Sequence, residues 1–144
     1  MKKLLFFVSG KGTNYSFIND KIKSKFLFNC EISAVVANHD CLGLKHALNN
    51  RTQSFYCPWN KDIQTRDCYD SSLVDIVHIV SPDIIVLAGW DHILGKNFLD
   101  KLGSIKIINL HPALPDTFPG NNAIEDAWVA SQKGQTNKTG IMVH

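Results

Sequence analysis

The chain has 144 residues, 44% hydrophobic and 19% charged, with a formal net charge of +2. That length suits one compact domain and is short for two, and the composition excludes disordered and fibrous classes. A charge of +2 also falls short of the basic excess that marks nucleic-acid binders.

The first predicted element is a strand over Leu4–Val8. It follows two lysines, as a secretory leader would. Its apolar run is too short for one, however, and it meets GKGTN instead of a small-residue cleavage site. Nowhere does the chain hold the roughly eighteen apolar residues that a membrane helix needs. After this strand comes SGKGTN, residues 9–14. Gly10 and Gly12 let backbone amides approach an anion, Thr13 and Asn14 add side-chain donors, and the following helix offers its amino terminus. Two readings are open, a phosphate cradle and a tight glycine turn. Tyr15 stands where the third glycine of a dinucleotide fingerprint belongs, and no P-loop spacing is present.

A helix over Asn14–Lys25 places the basic run KIKSK on a solvated face. A strand over Ile32–Ala37 is followed by Asn38, His39 and Asp40 rather than by the acidic residue of a dinucleotide site. Next come a helix over Leu42–Asn49, a strand over Ser54–Cys57 and a helix over Thr65–Val80. The last is marked by Leu73, Ile76, Val77 and Val80 at three- and four-residue spacing. Ser81 before Pro82 stops it.

The next strand, Ile84–Ala88, runs into LAGWDHILG. There Gly89 frees the backbone, and Trp90, Ile93 and Leu94 either wall a slot for a flat heterocycle or cover the sheet end. The last clear strand, Ile105–Leu110, opens IINLHPALPDTFPG. Strand residues alternate faces, so Asn109 and His111 point to one side, and Pro112 holds His111 extended. An amide donor beside an imidazole suits acyl or formyl transfer, although the same pair also serves as structural polar groups. A helix over Asn121–Lys133 follows, and TGIMVH, residues 139–144, reads as the start of a sixth strand.

The apolar runs are short and lack strict alternation, which suits strands buried on both faces. With helices between them, they predict an α/β fold, a doubly wound, mostly parallel Rossmann-like sheet forming one domain over residues 1–144. Cys30, Cys41, Cys57 and Cys68 form no C-x-x-C pair, and no histidine stands at zinc-ligand spacing. Reduced thiols, a cytoplasmic setting and no metal are expected.

SGKGTN, AGWDHIL and INLHPALP, in this order and spacing, resemble the phosphoribosylglycinamide formyltransferases, fungal-type members above all. The resemblance implies transfer of a formyl group from 10-formyltetrahydrofolate, as co-substrate, to the amine of glycinamide ribonucleotide in purine biosynthesis. It implies that Gly12, Thr13 and Asn14 hold the ribonucleotide phosphate, and that Arg66, Asp91, His92, Ile93 and Leu94 lie along the folate. Asn109 would orient the formyl oxygen and His111 would be the general acid. In the family a catalytic aspartate lies shortly after a segment like TGIMVH, so the domain is expected to be truncated at its C-terminus. Alternatives are a non-catalytic phosphate-binding paralogue and a formyltransferase acting on another amine, such as an amino sugar. The partners expected are small molecules, with no nucleic acid and no membrane. The sequence leaves the oligomeric state open.

Overall fold

The computed structural model describes residues 1–144. It divides into two compact units, Met1–Ile107 and Ile108–His144.

The first unit contains β1 (Lys2–Val8), α1 (Thr13–Lys23), β2 (Cys30–Ala37), α2 (Leu42–Asn49), β3 (Ser54–Tyr56), α3 (Arg66–Val80), β4 (Ile84–Leu87) and α4 (Lys96–Asp100). Its strands run in the order β3-β2-β1-β4 and pair in parallel throughout. Parallel neighbours need crossover connections, and the helices supply them. Because successive strand residues face opposite ways, β1 feeds two cores. Leu5 and Phe7 pack with Leu73 and Val77 of α3 and Phe98 of α4. Leu4, Phe6 and Val8 pack with Tyr15 of α1 and Ala47 of α2. Phe6 and Phe7 are fully buried, and burial of that kind stabilises by about 1.5–3 kcal/mol per side chain. Helices on both sheet faces make this unit doubly wound, as the sequence predicts.

Local chemistry explains the element ends. Thr65 caps α3 by accepting a hydrogen bond from the Cys68 amide at 3.2 Å. Thr65→Ala should cost about 1 kcal/mol of stability, read as a lower urea midpoint at unchanged m-value. Ser81 ends the same helix in the left-handed region at φ 48°, and Pro82 forbids its continuation. Tyr15, which replaces the glycine of a dinucleotide fingerprint, is a core residue. Its ring meets Phe6 edge-on at 5.6 Å, and its hydroxyl lies 2.9 Å from Thr52 Oγ1.

A fifth strand, β5 (Lys106–His111), begins in the first unit, where Ile105 and Ile107 pack against the Phe7 core. It ends in the second unit, which adds α5 (Ala123–Gln132) and β6 (Met142–Val143). There β5 pairs with β6 antiparallel, Leu110 opposite Val143 and His111 opposite Met142. On β5, Ile107, Asn109 and His111 are half-buried, while Ile108 and Leu110, on the opposite face, are each 39% exposed. No helix is long and apolar enough to cross a membrane.

Candidate active site

The glycine loop lies between β1 and α1. Gly12 is the residue before the helix and adopts φ 67°, in the left-handed region, while Gly43 at the start of α2 sits against it. A Cβ added at Gly12 would lie 2.4 Å from the Gly43 Cα. The approach is fixed by the Gly43 amide, which donates to the Gly10 carbonyl at 2.9 Å. Thr13 is exposed and Asn14 half-buried, and no acidic residue occupies the first turn of α1. The helix amino terminus is therefore open to an anion on its own terms, with no carboxylate competing for its amides.

Three strand-end loops meet at Asp91. The Asp91 amide donates to Ser9 Oγ at 2.9 Å, Asn38 Nδ2 donates to Asp91 Oδ1 at 2.7 Å, and His39 Nε2 lies 2.9 Å from Oδ2. The Ser9 amide also donates to the Gly89 carbonyl at 3.2 Å. Partial burial alone would raise the Asp91 carboxyl, but the hydrogen bonds from Asn38, Ser9 and His39 outweigh it and hold it below the usual carboxylate range.

His92 sits among rings. Trp59, Tyr69 and Trp90 approach it edge-on at 5.4, 5.8 and 5.8 Å between centroids. Burial pushes its imidazole below the ordinary histidine value. Asp91 opposes that shift, while Arg66 and His39 add to it. The neutral ring is thus favoured.

Arg66 opens α3, yet it is not simply an exposed cation. Its Nε donates to Asp70 Oδ1 at 3.0 Å, and its guanidinium lies 5.0 Å from the centre of the Trp59 ring. Asp70 is only 1% exposed, and its Oδ2 faces Gly95 so closely that an added Cβ would come within 1.9 Å. Of the apolar wall expected here, Trp90 and Leu94 join the Phe7 core, while Ile93 projects to solvent, 78% exposed. The first unit therefore gathers Arg66, Asp91 and His92 around one aromatic cluster, with Ile93 at its open side.

In the second unit, Asn109 and His111 stand two apart on β5, both half-buried. Asn109 pairs with His144: its amide donates to the His144 carbonyl at 2.7 Å, the His144 amide donates back at 3.0 Å, and Asn109 Nδ2 lies 3.0 Å from His144 Nε2. His111 Nε2 lies 3.0 Å from the Phe118 carbonyl oxygen. Since a carbonyl only accepts, that contact places a proton on Nε2. The proline loop achieves this by bending sharply, with Asp116 at φ 62° and Phe118 at φ 44°.

Sequence reasoning missed His144, Asn38 and His39. His144 becomes visible only through the register of an antiparallel pair, which sets it opposite Asn109. Asn38 and His39 are some fifty residues from their partner Asp91. Their position just after a strand is the one signal the sequence offers for them.

Residues 2–144 match the family profile described as formyl transferase. A phosphoribosylglycinamide formyltransferase of Dictyostelium discoideum is 40% identical, over 95% of this chain and 72% of that protein. The enzyme of the same name from Saccharomyces cerevisiae is 34% identical, over 100% of this chain and 75% of its own length. Among solved structures, glycinamide ribonucleotide transformylase 1 of Geobacillus kaustophilus superposes with a TM-score of 0.87. It is 28% identical and is matched over 100% of this chain and 73% of that one. The phosphoribosylglycinamide formyltransferase of Coxiella burnetii gives 0.84 at 31% identity, over 99% of this chain and 64% of that one.

Proposed function

The chain belongs to the phosphoribosylglycinamide formyltransferase family, and from that premise we propose how its residues share the reaction. The amine of glycinamide ribonucleotide attacks the formyl carbon of 10-formyltetrahydrofolate. The carbonyl π pair moves to oxygen; it then re-forms the C=O bond as the bond to the folate nitrogen breaks, the new amide nitrogen gives up a proton, and tetrahydrofolate leaves with one. The observation that carries this reading is the Asn109–His111 pair on one strand, with His111 tied to the Phe118 carbonyl.

Asn109 supplies its amide N–H to the formyl oxygen, where negative charge develops as the carbon becomes tetrahedral. It is held by three hydrogen bonds to His144, two of them backbone, so little reorganisation is needed when charge appears. His111 moves the proton from the attacking amine toward the departing nitrogen. Gly12, Thr13 and Asn14 hold the phosphate through backbone and side-chain donors. That role is supported by the left-handed Gly12 and by the absence of acidic residues in the first turn of α1. Arg66, Asp91, His92, Ile93 and Leu94 line the folate. The aromatic cluster around His92 supplies an apolar surface for a flat ring, and the backbone of 91–94 supplies polar edges.

The two units belong, in this reading, to one formyltransferase domain, supported by a family match that runs from residue 2 to residue 144. The four free thiols support a reducing, cytoplasmic setting. The purified chain, given both substrates, should release tetrahydrofolate in step with formylated ribonucleotide. Binding of the ribonucleotide with no release at any protein concentration would refute catalysis by this polypeptide.

A further inference from the structure

Three side chains that no spacing rule connects meet at the carboxyl ends of β2 and β4. His39, Asp91 and His92 each offer one donor atom, and the three atoms lie within 4.8 Å of one another. Asp91 Oδ2 is 2.9 Å from His39 Nε2, and Asp91 Oδ1 is 3.8 Å from His92 Nε2. A tetrahedral ion with bonds of about 2.1 Å sets its ligands about 3.4 Å apart. The first separation is shorter than that value and the second, to the other carboxylate oxygen, is longer, and no pair among the three donor atoms exceeds 4.8 Å.

We propose that His39, Asp91 and His92 form a binding site for one divalent transition-metal ion of the zinc class. Two imidazoles and one carboxylate are the borderline donors that zinc, cobalt and nickel accept, whereas calcium and magnesium favour all-oxygen shells. Cys41, two residues from His39, does not belong to the set, because it packs into the Phe6 core.

Two of the three ligands are oriented before any ion arrives. Asn38, itself 2% exposed, donates to Asp91 Oδ1, and the Asp91 amide is anchored on Ser9 Oγ. His92 is wedged between Trp59, Tyr69 and Trp90 and is 20% exposed. Partners of this kind, one step behind the ligands, fix ligand geometry in metal sites generally. The third ligand, His39, has a side chain 50% exposed. It gives the ion an entry side and leaves a fourth position for water. On binding, the ion replaces the His39–Asp91 hydrogen bond and bonds both atoms that form it.

The site shares Asp91 and His92 with the proposed folate lining, but it is read by metal binding and not by turnover, so its failure is distinguishable from failure of that reading. The test is titration of the purified chain with cobalt(II), followed by visible absorption, with calorimetry of zinc alongside. One ion per chain at micromolar affinity or tighter is expected. The spectrum should show the d–d bands of a four- or five-coordinate ion and no thiolate-to-cobalt charge-transfer band. His39→Ala, at an exposed position where circular dichroism should show an intact fold, should weaken binding about tenfold or more. Asp91→Asn should do the same. His46→Ala and His78→Ala, which alter exposed histidines on α2 and α3, should bind as the unaltered chain does. Millimolar affinity, a thiolate band, or a folded His39→Ala variant with undiminished affinity would each overturn the assignment.

Discussion

Replacing Asn109 by alanine should lower kcat by roughly a hundredfold or more, the usual consequence of removing one oxyanion donor. The fold should survive, because Asn109 is half-buried and its two backbone hydrogen bonds to His144 do not depend on the side chain. The KM for either substrate should change far less than kcat, since the amide contributes most once the formyl carbon is tetrahedral. His111→Ala should reduce kcat by about 10²–10⁴, the range of a positioned acid-base group. It should also flatten the pH profile, which a merely structural histidine would leave in shape. Steady-state kinetics on the two variants, beside the unaltered chain, decide the matter. A kcat unchanged in both removes Asn109 and His111 from the chemistry.

The second large effect is expected at Gly12. An alanine there must adopt φ 67° and place its Cβ 2.4 Å from the Gly43 Cα. The left-handed backbone costs about 1–2 kcal/mol for a residue with a Cβ. The clash adds to that, because the atom struck is backbone and has no rotamer into which to retreat. A total of about 2–4 kcal/mol is expected, or a displaced loop with a raised KM for the ribonucleotide, or both. Gly10→Ala makes the matched control. Its Cβ would meet nothing within 4 Å and its φ is not positive, so its effect should stay within about 0.5 kcal/mol. Urea denaturation of both variants tests the contrast, and equal midpoints would refute it.

Much of this architecture is legible in the chain itself, for identifiable reasons. The α2 boundaries, Leu42–Asn49, match expectation, because apolar spacing and flanking polar residues mark both ends. The start of β1 is harder to see: Lys2 and Lys3 are exposed strand residues, and charge hides a strand from any hydrophobic pattern.

The candidate site divides likewise. Asn109 and His111 share a strand, and alternation alone relates them. Arg66 and Asp70 are related by a helical turn. The partners of Asp91 come from loops some fifty and eighty residues away, and His144 reaches Asn109 only through strand register. Pattern reasoning sees along one element, whereas these contacts are made between elements.

The Asp91 junction also governs how this fold tolerates exchange of parts. Ser9, Asn38 and His39 belong to loops that would look independent to anyone swapping segments between relatives, yet all three close on one residue. A transplanted 89–95 loop would arrive without the amide and imidazole that match it. Chimeras that exchange the 89–95 loop should therefore carry positions 9, 38, 39 and 91 together, because exchanging the loop alone removes the hydrogen bonds that join it to its neighbours.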